Sequence, residues 1–306
     1  MPQKERTKGD FNNMLKNSDF VLFTDSCCDL SQQYVDEYDI KVVSLSFRFA
    51  DGKEYVDTTG HKDLSMPDFY KLLETGGMPK TSAINANDFE KVAKPYLDQG
   101  KDILVIAFSS ALSATYNSFR LAAEDLNNEY KNNKVYVVDS KSASGGQGML
   151  VYLTAKQKAA GKTIEECYKY AEDTKLKICH YFTVDDLSAF LRSGRLTASA
   201  ALLGTLLKLK PVMHMDDEGR LVPIAKKIGH KASMIALAKH FDEECIDDTI
   251  LGMTHGSMLN DVDYLKGLML KNHPNNKEFM MNYVGPVIGS HTGSTVIAIY
   301  FLANHR

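Results

Sequence analysis

The stretch that most limits how this chain can fold is Asp102 to Tyr130, DILVIAFSSALSATYNSFRLAAEDLNNEY. It opens on a nearly continuous apolar run, Ile103 to Phe108. Such a run is the pattern of a strand buried on both faces, as strands of parallel sheets are. Ser109 to Thr115 follows, seven mostly small residues of which four carry hydroxyls. Tyr116, Phe119, Ala122, Ala123, Leu126 and Tyr130 then recur at helical spacing. The first N–H groups of a helix lack internal partners, and its dipole favours negative charge there. A single Ser or Thr suffices as a cap. Four hydroxyls exceed that need, so this loop is a candidate for holding an anion.

The same unit recurs. Phe20 to Phe23 reads as a buried strand ending in Thr24-Asp25-Ser26, and Lys134 to Val138 as one ending in Asp139-Ser140. Two apolar strands each ending in Asp-Ser predict paired loops at one carboxyl edge, where open α/β sheets place ligands. Asp29 to Tyr38 reads as a short helix, Lys41 to Phe49 as a strand, and Lys53 to Val56 as its return after Asp51-Gly52. Ser65 caps a helix closed by Gly76-Gly77. Lys80 to Asn85 is a second hydroxyl-bearing loop, and the helix after it is predicted to kink at Pro95. Ser142 to Gly148 opens a helix reaching Ala160. Its glycines lack the phosphate-loop pattern and read as close backbone packing. Strand and helix thus alternate from Phe20 to Ala160, which predicts an α/β fold with a mostly parallel sheet flanked by helices.

Beyond residue 160 the pattern changes. Thr163 to Glu166 is a capping box, Ile178 to Phe182 a strand, and Thr183 to Asp186 caps a helix that stops at Gly194. Leu202 to Leu207 is apolar. Lys210 to Lys227 reads as a β-hairpin around Asp-Asp-Glu-Gly, with further strands at Thr249–Met253, Phe279–Tyr283 and Thr295–Phe301. The prediction is two packed domains: 1–160, α/β, and 161–306, α+β with hairpin pairing.

A net charge of −3 argues against nucleic acid or an anionic membrane as partner, and no apolar run reaches the length of a membrane span. The opening residues, MPQKERTKGDFNNMLKNSD, have no apolar core and read as a surface lead-in. Five cysteines without a C-x-x-C indicate reduced cytosol and no zinc site. Neither a G-x-S-x-G elbow at Ser113 nor an H-E-x-x-H motif occurs. Gly285 to Ser294 is a third polar loop, set between two strands and carrying His291; Arg192 and Arg195 flank Gly194. Hydroxyls, Arg, His and helix ends make a set for binding an oxyanion, and a thin one for activating a nucleophile.

These landmarks, in order, carry a resemblance: Thr24-Asp25-Ser26, Lys80-Thr81-Ser82, Ser109-Ser110-x-Leu112-Ser113-x-Thr115-Tyr116, Asp139-Ser140, LSAFLRSGRL from Leu187 to Leu196, and Gly285-Pro286-Val287-Ile288-Gly289-x-His291-Thr292-Gly293. From Phe20 to Leu302 the chain resembles the bacterial DegV family, which includes the fatty-acid-binding subunits of fatty acid kinase. The resemblance implies one long-chain fatty acid, such as palmitate, stearate or oleate, in a tunnel between the two domains, and no cofactor or metal. It implies that Thr81 and Ser113 hold the carboxylate, with Arg195 and His291 nearby and Ser82, Ser110 and Thr292 as further ligand-binding candidates. It implies a cytoplasmic, non-catalytic subunit that presents the carboxylate to a separate fatty acid kinase. Two other readings stand beside it. One is an enzyme acting on a small phosphorylated or carboxylated metabolite through Asp25 and Asp139; the other is a lipid-responsive regulator without a kinase. Three departures from the family pattern, Ala83-Ile84-Asn85, Ala114 and Gly293-Ser294-Thr295, bear on loop geometry and on which acyl chain fits.

Overall fold

The computed structural model describes residues 18–196 and 209–306. The lead-in before Ser18 and the apolar run Leu202 to Leu207 lie outside the described residues. The first sheet comprises β1 (Phe20–Asp25), β2 (Lys41–Val43), β6 (Asp102–Ala107) and β7 (Val135–Asp139), ordered β2-β1-β6-β7 and parallel throughout. Ile103 to Ala107 of β6 are wholly buried, as a central strand covered on both faces requires. Helices α1 (Gln32–Glu37), α3 (Ala86–Leu97) and α4 (Thr115–Glu129) alternate with these strands, and α5 (Ser144–Ala159) and α6 (Ile164–Thr174) follow the last of them in succession. Pro95 falls in the last turn of α3, which runs on to Leu97. The box predicted at Thr163 is present, with Thr163 and Glu166 capping each other.

The predicted strand Lys41 to Phe49 is two strands in two sheets. The chain leaves the parallel sheet after Val43, and the Leu45 N–H donates to Ser26 Oγ at 3.0 Å. β3 (Ser46–Arg48) then pairs antiparallel with β4 (Glu54–Val56), the expected return, and with β5 (Lys80–Ser82). The Lys80 loop is therefore partly an edge strand. Against this small sheet packs α2 (Met66–Glu74), through Phe47, Tyr55, Phe69 and Tyr70.

The second half forms a six-stranded sheet of order β10-β9-β8-β13-β11-β12. Its members are β8 (Ile178–Thr183), β9 (Leu209–Met215), β10 (Leu221–Ile228), β11 (Asp247–His255), β12 (Glu278–Tyr283) and β13 (Ile297–Leu302). Only β11 and β12 pair in parallel. The hairpin turns where Gly219, at φ +77°, donates its N–H to Asp216 O. Helices α8 (His230–Glu244) and α9 (Leu259–Lys271) contribute to a core with one face of this sheet; its other face joins the core of the parallel sheet. Two short helices complete the chain: α7 (Ser188–Ser193), ended by Gly194 at φ +69°, and α10 (Pro286–Thr292). The last is a correction to the predicted third loop. Pro286 at the first helical position and Gly293 after the last give a complete helix between β12 and β13.

Candidate functional site

The carboxyl edge of the parallel sheet carries three loops tied together by the two Asp-Ser endings. Asp25 Oδ1 accepts the Cys27 N–H at 3.0 Å, and its Oδ2 accepts the Phe108 N–H at 2.8 Å. Asp139 Oδ1 accepts the N–H groups of Ser110 and Lys141, at 3.1 and 3.2 Å. Both carboxylates thus brace the loop after β6 from either side. That loop ends with Ser113, whose Oγ accepts the Thr115 N–H at 3.2 Å and lies 3.0 Å from Thr115 Oγ1. Ser113, one residue before the Ala114 N-cap, thus holds the first N–H of α4 while lining a cavity of about 220 Å³ between the parallel sheet and the six-stranded one.

The opposing polar group is Thr81 on β5, whose Oγ1 lies 2.9 Å from His291 Nε2 on α10. His291 Nδ1 is buried without a partner. Burial, helped by the Arg195 guanidinium, lowers the His291 pKa to about 4, so the imidazole is neutral at pH 7. Two buried carboxyls, Asp29 and Asp57, lie against the N-terminus of α10 beside Gly285, and Asp57 Oδ2 has no hydrogen-bond partner. A side chain at Gly285 would collide with Asp29 Oδ1. The Tyr70 hydroxyl donates to Val284 O at 2.6 Å.

The predicted site residues separate cleanly. Thr81, Ser82, Ser113, Arg195, His291 and Thr292 all line the 220 Å³ cavity. Ser110 does not: it is exposed, and Lys141 Nζ donates to its Oγ at 3.3 Å. Arg195 follows the end of α7, is exposed, and donates to Ser193 O. Thr81, Arg195, His291 and Thr292 are shared with a wider, open cleft of about 860 Å³ that Lys80, Arg192 and Asp186 also line. A polar gate therefore stands between an open polar cleft and a cavity walled mainly by Phe108, Leu112, Phe182, Phe190, Met215 and Ala298.

Sequence reasoning missed the far wall, built from Ser144, His180 and Tyr300. Tyr300 OH, Thr254 Oγ1 and Ser144 Oγ form a chain with spacings of 2.8 and 3.0 Å, and Ser144 donates onward to Asp29. The glycines of Ser142 to Gly148 explain the proximity. Side chains at Gly145 and Gly146 would overlap the rings of Tyr300 and His180. That run of glycines is close packing, as its lack of a phosphate-loop pattern indicated. Among the described residues no cluster of His, Cys, Asp and Glu could hold a metal ion, and no helix is long and apolar enough to cross a membrane. All five cysteines are free thiols.

Fold and site together define an α/β protein whose two main sheets enclose an apolar cavity behind a polar gate. The DegV family model, described as that of an uncharacterised protein, matches residues 19–304, and the chain belongs to the DegV family. It is 38% identical over 289 residues to a DegV domain-containing protein of Clostridium perfringens, covering 94% of this chain and 98% of that one. A Streptococcus pyogenes DegV domain-containing protein is 33% identical over 286 residues, covering 94% and 99%. Among solved structures, a fatty-acid-binding DegV family protein of Thermus thermophilus superposes with TM-score 0.83 at 28% identity, covering 93% of this chain and 99% of that one. A DegV lipid-binding protein of Thermotoga maritima gives 0.80 at 27%, covering 94% and 99%.

Proposed function

We propose that this protein binds one long-chain fatty acid, its tail in the 220 Å³ cavity and its carboxylate at the gate of Thr81, Ser113 and His291. The observation that carries this reading is the Thr81–His291 pair at the junction of apolar cavity and open cleft. With the proton on Nε2, His291 donates to Thr81 Oγ1, which leaves the Thr81 hydroxyl free to donate to a carboxylate oxygen. Ser113 supplies a second hydroxyl and Arg195 a positive charge. The tail supplies affinity at about 0.8 kcal/mol per buried methylene, and the gate sets its register. Residues 1–160 and 161–306 are the two units that enclose the ligand, since every strand of the parallel sheet precedes residue 160 and every strand of the six-stranded sheet follows it.

The open cleft gives a second macromolecule access to the carboxylate, which supports presentation to a separate cytoplasmic fatty acid kinase. The acid/base alternative is weakened because Asp25 spends both oxygens on backbone N–H groups and Asp139 is committed to two N–H groups and to Lys141 Nζ at 3.1 Å.

Denaturing mass spectrometry of the purified protein is expected to release a long-chain fatty acid. Ser113→Ala is expected to reduce the oleate-induced rise in Tm more than it lowers the Tm of the ligand-free protein, because one hydrogen bond to a charged group is lost. An undiminished oleate shift would remove Ser113 from the site. A carboxylate at the gate also favours the charged imidazole. Oleate is therefore expected to raise the His291 pKa from about 4 by one unit or more. Side-chain NMR titration with and without ligand measures this, and an unmoved His291 would place the carboxylate elsewhere.

A further inference from the structure

The cavity has an end away from the gate, and one side chain closes it. Tyr300 on β13 is the register partner of His180 on β8 and of Gly252 on β11, and Gly252 pairs in turn with Met280 on β12. This row across the sheet therefore passes from a tyrosine to a residue with no side chain. The Tyr300 ring is buried and borders the cavity. It lies in a slot between two glycines. A Cβ added at Gly145 of α5 would come within 2.6 Å of Tyr300 Cε2, and one added at Gly252 within 3.2 Å of Tyr300 Cβ. The hydroxyl is tied to Thr254 Oγ1 at 2.8 Å, which holds the ring in that slot. The residues the ring rests on, Gly145, Gly252 and Thr254, line a second, small hollow of about 20 Å³, together with Met280 and the exposed Met281. No residue lines both spaces, and Tyr300 stands between them.

We propose that Tyr300 sets the longest chain this protein accepts: its ring stops the terminal methyl of the acyl chain and keeps the tail out of the hollow beyond. This rests on the fatty-acid reading above and adds a specificity-determining residue to it. With the carboxylate held at the gate, each carbon added short of the stop buries further apolar surface and tightens binding about fourfold. At the stop the next carbon has to displace a packed and hydrogen-bonded ring, and the gain ceases. Neighbouring strands lie about 4.8 Å apart. An extended chain advances about 1.25 Å per carbon, with bonds of about 1.5 Å at near-tetrahedral angles. Crossing from β13 to β11 over Gly252 therefore takes about four carbons.

The test uses the delipidated full chain and saturated fatty acids from decanoate to docosanoate, each displacing a fluorescent acyl probe, with Kd plotted against carbon number. The wild type is expected to gain about fourfold per carbon up to a break and nothing beyond it. Tyr300→Ala is expected to move that break out by about four carbons, and Tyr300→Phe, which keeps the ring, to leave it in place. Should Tyr300→Ala misfold, the wild type answers alone: a chain of the break length, labelled with 13C at its terminal methyl, is expected to show a nuclear Overhauser contact with the Tyr300 ring. A break that stays put in folded Tyr300→Ala overturns the proposal, as does a wild type without a break or a terminal methyl that touches other residues and not Tyr300. Each of these leaves the fatty-acid reading standing. Failure of every chain to bind overturns that reading along with the proposal.

Discussion

Ala298→Phe is expected to abolish retention of a long acyl chain while leaving the fold as stable as before, or more so. Ala298 lies on the cavity wall midway between Val296 and Tyr300, opposite Phe182. A benzyl side chain there occupies the space of about six chain carbons. At about 0.8 kcal/mol for each displaced methylene, roughly 5 kcal/mol of binding disappears, more than a thousandfold in Kd. Inserting a ring into a packed core normally costs about 1–3 kcal/mol. Here the ring enters space already present, so the ligand bears the loss. Calorimetry with oleate and a thermal scan of the empty protein separate the two effects. A wild-type oleate affinity in this variant would show that the tail takes another course.

The second large effect is on stability against pH. Burial raises the Asp29 pKa to about 7, although Ser144 and the Gly285 N–H favour the charged form. An unfolded Asp titrates near 3.9. Below about pH 4 the group is protonated in both states and its contribution is fully present. From about pH 4 upward the unfolded chain has released a proton that the fold retains, so that stability declines with rising pH and is fully lost once pH passes about 7. Asp25, raised to about 6 by burial, slopes the same way. Asp57, also buried, faces the same cluster. Asp29→Asn keeps a neutral group of the same size. It is expected to flatten the Tm–pH curve between about pH 4 and 8, so that at pH 8 the variant exceeds the wild type by roughly 5 °C or more. Parallel curves would show that Asp29 titrates as an ordinary exposed carboxyl.

Much of this molecule could be read from the chain because local and long-range demands coincide. The run Ile103 to Phe108 reads as a doubly covered strand, and five of its six residues are completely buried in β6. The hydroxyl-rich loop after it both holds the first N–H of α4 and forms part of the cavity wall. What escaped has physical reasons. From Val43 to Phe49 apolar and polar residues alternate without a break, so nothing local marks the change of sheet after Val43. Gly285 to Gly293 is too short to show a helical period, yet Pro286 was its signal. Ser110 shares its neighbours' chemistry, and only the pull of Asp139 on its N–H and of Lys141 on its Oγ draws it off the cavity. Asp29, Asp57 and His180 carry no motif. They matter because distant segments, among them Ser144, Gly285 and Gly146, close around them.

The cavity wall along Val296, Ala298 and Tyr300 is graduated. Alternate residues face the corridor, so each inward position stands about 7 Å from the next. Exchanging one of them resets how far a guest can reach without disturbing the gate. On the proposed reading, one exchange on this strand changes the length of chain admitted, as a gauge is recalibrated by moving its stop.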